Sequence, residues 1–208
     1  MNTPAKTSNW NVPNALTTLR ILLVPVFGWA LLHQGGDSET WRWIAAGIFT
    51  AAMITDKIDG DLARKHNLIT NFGKIADPIA DKLMTGMAFV ALAIISPLFS
   101  PWIWWAVTTI VLLREWGITL ARLSFAKHVV MEAKWSGKVK TTLQAVALGG
   151  FIIPFGMWDG AWYWPGQVLW WASGLLLLGA VVLTITSGME FIKDFIAQRK
   201  TQEQATGH

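Results

Sequence analysis

The sequence predicts an all-α integral membrane protein with six transmembrane helices in a single membrane domain spanning residues 1–208. Three observations carry that expectation. Hydrophobic residues make up 53% of the 208 residues and charged ones only 14%, where a soluble domain carries about 25% charge. The mean hydropathy is +0.41, and the apolar stretches reach or approach the ~20 residues a helix needs to cross a bilayer. Clusters of Gly, Pro, Ser and Asp separate those stretches. The formal net charge of +4 is not gathered into a basic strip with interleaved aromatics outside the spans, which speaks against nucleic-acid binding. Cysteine is absent, so disulfides, thiol catalysis and cysteine metal sites are excluded.

The first span is drawn at 14–33. The polar segment before it lacks the basic-then-apolar layout of a cleaved signal peptide, so the span is expected to persist. Gly35-Gly36-Asp37-Ser38 closes it. The second span, 41–64, opens on Trp41 and carries Asp56 and Asp59; the third, 72–96, carries Asp77 and Asp81 and ends at Ser96-Pro97. The fourth starts after Ser100 and runs over 101–124. The fifth, 138–157, is interrupted by Gly149, Gly150 and Pro154. Trp158-Asp159-Gly160 and Pro165-Gly166 precede the sixth, 166–191, and residues 192–208 read as a cytoplasmic tail.

Basic residues set the orientation. Lys6, then Arg64, Lys65 and Lys74, then Arg122, Lys127, Lys134, Lys138 and Lys140, then Lys193, Arg199 and Lys200 fall at one side, and Arg42 alone at the other. Trp41, Trp43, Trp102, Trp104, Trp105, Trp158, Trp162, Trp164, Trp170 and Trp171 gather at the lysine-free loops, as an outer aromatic belt would. Both termini are expected in the cytoplasm. Asp56 lies fifteen residues after Trp41, about 22 Å along a helix, which is the cytoplasmic third of the core. Asp77 and Asp81 enter from the cytoplasmic side to a similar depth, so the four acids share one layer.

A carboxylate inside a bilayer costs roughly 2.5–3.5 kcal/mol even on lenient insertion scales, and such residues usually face a site. Asp56, Asp59, Gly60 and Ala63 follow helical spacing along one face; Gly73, Asp77 and Asp81 form a stripe on the next helix. Helices joined by a short loop can turn these stripes toward each other. An all-carboxylate set suits hard divalent cations, Mg²⁺ or Mn²⁺, and four carboxylates suffice for two ions that together stabilise a phosphoryl transfer. Pro78 removes one helical N–H beside the acids. His33, His66, His128 and His208 show no ligand spacing.

The run D-K-I-D-G-D-L-A-R, eight residues, then G-K-I-A-D-P-I-A-D resembles the signature of the CDP-alcohol phosphatidyltransferase family at every fixed position. The opening N-V-P-N-A-L-T-T-L-R-I is similar to that family's amphipathic N-terminal segment and first span. The resemblance implies that a hydroxyl attacks the β-phosphorus of a CDP-linked lipid and releases CMP. It further implies that Asp56, Asp59, Asp77 and Asp81 hold two metal ions, with Asp81 the candidate general base. Gly60, Ala63, Arg64 and Gly73 would line the cytidine and diphosphate pocket. A homodimer is the assembly it implies. Asp61 falls at a free position and reads as a solvated helix-end residue.

The acceptor is read from the fourth and fifth spans. Arg114 lies about 18 Å along the helix from Trp102, near the aspartate layer, and Arg122 follows eight residues later on roughly the same face. Two arginines there suit a phosphate, which takes charge-assisted and often bidentate bonds, and Lys138 and Lys140 add cations. R-E-W-G-I-T and G-K-V-K-T-T-L-Q resemble segments of bacterial phosphatidylglycerophosphate synthases, which implies transfer from CDP-diacylglycerol to glycerol 3-phosphate at the inner membrane. The plainer alternatives are that Arg114 pairs with Glu115 or a motif aspartate, that Arg122 is an orientation anchor, and that the lysines follow the positive-inside rule. Asn14, Thr17 and Arg20 could reach a diphosphate, or Arg20 could snorkel; Glu190 receives no role. Rival readings are another acceptor (inositol phosphate, or phosphatidylglycerol as in a cardiolipin synthase), an intramembrane prenyltransferase, and a divalent-cation transporter.

Overall fold

A computed structural model of the chain describes residues 11–65, 70–125 and 135–206, leaving the side chains of 63, 64, 71, 74, 122–125, 135–138 and 194–206 outside the description. Among the described residues there are six α-helices of eighteen residues or more and no strand. They are α1 (Val12–Leu32), α2 (Glu39–Lys65), α3 (Asn71–Ile95), α4 (Pro101–Phe125), α5 (Trp135–Ile152) and α6 (Tyr163–Thr206). The polar segment before α1, expected to be amphipathic, lies outside the described residues, as do His66, Lys127, His128, Lys134 and His208.

The helix limits follow local chemistry. Asn11 caps α1, its side chain accepting from the Asn14 N–H at 2.9 Å, and Thr70 caps α3 by accepting from the Gly73 N–H at 3.0 Å; each supplies a bond that a helix start otherwise lacks. Gly35 (φ 71°) and Gly36 (φ 86°) turn the chain between α1 and α2 in the left-handed region. Ser96 closes α3 at φ 51° just before Pro97, and Pro101 begins α4, where its missing N–H removes no helical bond. Two limits differ from expectation. The fifth helix stops at Ile152, two residues before Pro154, because that proline disfavours helix in the residue preceding it. The sixth starts at Tyr163 with Pro165 in its first turn and continues through the expected tail to Thr206.

Among the described residues five segments are long and apolar enough to cross a membrane: Val12–Gly36, Ile75–Ile95, Pro101–Ala121, Val139–Met157 and Gly160–Lys193, built on α1, α3, α4, α5 and α6. Helix α2 has the length, at 27 residues, but its charges lower its hydropathy. Side chains that meet lipid remain apolar and exposed, such as Leu22 (64%), Leu113 (71%) and Leu175 (72%). Lipid is as apolar as leucine, so burying leucine gives little drive between helices and small residues let backbones approach. The core is accordingly rich in buried alanine, including Ala45, Ala52, Ala88, Ala91 and Ala147. A Cβ on Gly150 would lie 1.9 Å from Ser173 Oγ, so α5 and α6 meet closely there.

Pairings along the helices fix their directions. Phe27 meets Phe49 while Arg20 meets Asp56, so α1 and α2 are antiparallel. Asn14 meets Thr70, Thr17 meets Asp77, and Gly28 faces Met87, so α1 and α3 are parallel. Helix α1 packs extensively on both α2 and α3, which touch each other only lightly. The two aspartate stripes, expected to face directly, are therefore bridged by α1. Carboxylates repel one another, and α1 brings the polar groups that satisfy them.

One end of the bundle is aromatic: Trp29, His33 and Trp41 cluster with centroids 4.8–5.0 Å apart, and Trp158 stacks edge-on against Phe155 and Trp162. His33, half-buried, is part of this cluster. Buried Arg42 donates from Nη1 to the Phe151 carbonyl at 3.4 Å, near the end of α5, where a cation complements the helix dipole. Arg42→Ala is expected to lower stability by about 1–3 kcal/mol, the cost of a lost charged hydrogen bond. Thermal unfolding in detergent checks this, and the turnover of protein that remains folded should be unchanged.

Candidate active site

The four aspartates lie at the opposite end, reached by α1, α2 and α3. Helical spacing places Asn14, Thr17 and Arg20 along one stripe of α1, and all three are buried. The Arg20 guanidinium, 1% exposed, pairs through Nη1 with Asp56 and through Nη2 with Asp59. Asp59 is itself buried at 3%, whereas the Asp56 side chain is 40% exposed. The Thr17 hydroxyl donates to Asp77 Oδ1 at 2.6 Å, and Asn14 exchanges hydrogen bonds with Thr70 at 2.9 and 3.1 Å. Asp56 lies within electrostatic reach of Asp77 and Asp81, as Asp59 does of Asp77. The four expected acids thus lie at one level of α2 and α3, and a buried arginine supplies the internal cation of Asp56 and Asp59.

Gly73 is buried in the first turns of α3, where a Cβ would come 3.0 Å from Asn14 Oδ1 and 3.6 Å from Asp77 Oδ2. Its small size accommodates α1 beside Asp77. Gly60 is half-buried one residue after Asp59. Ala63 and Arg64 are helical in α2, but their side chains lie outside the description, as do those of Arg122 and Lys138. Asp61 is exposed, as its position suggested.

Beside the anionic layer stands a cationic cluster on α3, α4 and α5. Glu115, 5% exposed, is its centre. Lys82 Nζ lies 2.8 Å from Glu115 Oε2, Arg114 Nη1 lies 2.8 Å from Oε1, and the buried Lys140 ammonium also pairs with Oε1. Lys82 Nζ reaches Asp81 Oδ2 as well, at 2.9 Å, and so joins the two halves of the site. Arg114 Nη2 donates to Ser187 Oγ of α6 at 2.8 Å.

Sequence reasoning placed Arg114 and Lys140 at this level and named Glu115 only as an alternative partner for Arg114, the pairing the structure displays. It missed Lys82 entirely. A signal for Glu115 was present, since a lone carboxylate in an apolar span needs a cation for the same reason the four aspartates do.

Among the described residues no three acidic or histidine side chains already converge on one point as a metal cage would. The donor chemistry fits a hard divalent ion nonetheless: four carboxylates on neighbouring helices, two of them paired with the Arg20 guanidinium. Asp56 and Asp77, reached from different helices, would hold such an ion together with Asp59 and Asp81.

A family model described as CDP-alcohol phosphatidyltransferase matches residues 10–187. The chain is 41% identical over 182 residues to a protein of Mycobacterium tuberculosis named a probable phosphatidylglycerophosphate synthase, covering 88% of this chain and 80% of that one. It is 34% identical over 195 residues to the CDP-diacylglycerol–glycerol-3-phosphate 3-phosphatidyltransferase of Bacillus subtilis, and 33% over 193 residues to that of Escherichia coli. Each of these two alignments covers 88% of this chain and 93% of the relative.

Proposed function

Because the chain belongs to the CDP-alcohol phosphatidyltransferase family, we propose that it is the enzyme that transfers the phosphatidyl group of CDP-diacylglycerol to glycerol 3-phosphate. The observation that carries this reading is the juxtaposition of an anionic layer with a cationic cluster. The first suits metal-assisted chemistry on a diphosphate, and the second suits an acceptor that itself bears a phosphate. A neutral alcohol would leave the positive charge that Glu115 and Asp81 do not offset without a ligand. The names of the relatives in Bacillus subtilis and Escherichia coli state the same donor and acceptor.

In this mechanism Asp56, Asp59, Asp77 and Asp81 hold Mg²⁺ or Mn²⁺, most simply as two ions. When bound, the ions neutralise charge on the diphosphate and on the departing CMP. Arg20 keeps the Asp56 and Asp59 carboxylates in place beforehand and relieves their mutual repulsion. Asp81 takes the proton of the acceptor hydroxyl as its oxygen bonds to the β-phosphorus. The bond from that phosphorus to the bridging oxygen breaks, and CMP leaves with the electron pair. Gly60, Ala63, Arg64 and Gly73 border the nucleotide, and Arg114, Arg122, Lys138 and Lys140 bind the acceptor phosphate. We further propose that α2 is the sixth span, that the active site and both termini face the cytoplasm of a bacterial inner membrane, and that residues 192–208, through which α6 continues to Thr206, are a cytoplasmic tail. The assembly proposed is a homodimer.

Membranes containing the protein, given CDP-diacylglycerol and each candidate acceptor in turn, should release CMP with glycerol 3-phosphate and not with inositol phosphate or phosphatidylglycerol. Arg114→Ala should raise the KM for glycerol 3-phosphate about tenfold or more, the effect of losing a charged hydrogen bond of ~1.5–3 kcal/mol. The KM for CDP-diacylglycerol should move far less. Equal changes in both would remove the acceptor-phosphate assignment.

A further inference from the structure

Resting on the glycerol 3-phosphate reading above, we infer that Glu115 is the positioning residue of the acceptor subsite. Its one buried carboxylate gathers cations from three helices and, through Lys82, fixes them relative to Asp81. Lys82 comes from α3, Arg114 from α4 and Lys140 from α5, and Glu115 is 5% exposed. Three cations brought together in so dry a place repel one another strongly. Glu115 permits the cluster, and with Asp81 taking part of the Lys82 charge it leaves a net positive charge at Arg114 and Lys140. A phosphate monoester at neutral pH carries about −1.5 to −2, opposite in sign to that excess.

The donors left over point the same way. An ammonium carries three N–H donors and a guanidinium five. Glu115 accepts from each cation, Asp81 accepts from Lys82 and Ser187 accepts from Arg114. Among the described residues Arg114 Nε, which is buried, has no hydrogen-bond partner. Glu115 therefore aligns the cations without exhausting them.

The link to Asp81 gives the arrangement its register. Asp81 and Lys82 are successive residues on one helix, and successive side chains diverge around the axis. Lys82 nevertheless reaches both Asp81 Oδ2 at 2.9 Å and Glu115 Oε2 at 2.8 Å. The path Asp81–Lys82–Glu115 spans the space between the proton-accepting carboxylate and the phosphate-binding cations. Glycerol 3-phosphate must bridge that space with its attacking hydroxyl at one end and its phosphate at the other.

Three single variants and one double variant test the inference by steady-state kinetics in both substrates on purified protein. Glu115→Gln keeps shape but removes the charge, and should raise the KM for glycerol 3-phosphate at least tenfold while the KM for CDP-diacylglycerol stays within twofold. Glu115→Asp keeps the charge on a shorter arm and should recover part of the loss. Lys82→Met cuts the brace from the other side and should lower kcat at least tenfold. The double variant Glu115→Gln with Lys82→Met should be no worse than the poorer single one by more than about threefold, because both break one connection. A KM for glycerol 3-phosphate unchanged in Glu115→Gln overturns the inference, as do parallel rises for both substrates or fully multiplicative effects. If Glu115→Gln fails to fold, Glu115→Asp and Lys82→Met carry the same comparison. A wild-type protein that releases no CMP with glycerol 3-phosphate removes the functional reading and this inference together. A wild type that uses it, with the variants unaltered, removes the inference alone.

Discussion

Asp81→Asn is expected to lower turnover by about 10³-fold or more, within and beyond the range for loss of a general base, while leaving a folded protein in the membrane. Asparagine has nearly the same shape but can neither accept the proton of the attacking hydroxyl nor hold a divalent cation as a carboxylate does. The packing should survive because the Asp81 side chain is 31% exposed and its ionic partner, Lys82, keeps Glu115 at 2.8 Å. CMP release per enzyme measures the loss, and a thermal melt in detergent confirms the fold. Turnover within tenfold of the wild type would contradict the role given to Asp81. Asp56→Ala should behave similarly, since it removes a proposed metal ligand that is 40% exposed and holds little of the core.

Arg20→Ala should have the largest effect on stability. Arg20 is 1% exposed and spans Asp56 and Asp59, and Asp59 is 3% exposed. Removing one partner of a buried ion pair costs about 3–5 kcal/mol, because an uncompensated charge stays behind. At about 2–4 °C per kcal/mol for a chain of this size, the melting temperature should fall by on the order of 10 °C. A divalent cation binding the same carboxylates should restore much of that loss, because binding to the folded state adds stability. Melting in a chelator and then in millimolar Mg²⁺ or Mn²⁺ reads this directly, independently of activity. An equal loss under both conditions would mean that the cation does not bind Asp56 and Asp59.

The helices were legible because their signals are local. Asn11, Thr70, Ser96 and Pro101 start or stop helices through their own caps or backbone geometry, and each stands in the sequence beside an apolar run. The four aspartates were legible because acids in an apolar span need a reason. What stayed hidden was which helix faces which. Spacing put Asp59 and Asp77 on definite faces of their own helices, but not α1 between them. The sequence alone therefore does not choose between a diphosphate-facing stripe and a snorkelling Arg20, although Asn14, Thr17 and Arg20 already share a polar stripe. Lys82 escaped notice because it follows Asp81 directly, and adjacent residues on a helix are expected to diverge. The extension of α6 to Thr206 was hidden because a polar helix has no apolar stripe to reveal it.

The measurement that bears most directly on the central claim is the joint appearance of CMP and labelled lipid from purified protein. CDP-diacylglycerol, Mg²⁺ and radiolabelled glycerol 3-phosphate are supplied together. The expected result is one CMP released for each labelled glycerol phosphate carried into the lipid phase, with neither product formed when the acceptor or the divalent cation is omitted. CMP formed only with another acceptor, or no CMP at all, would contradict the account.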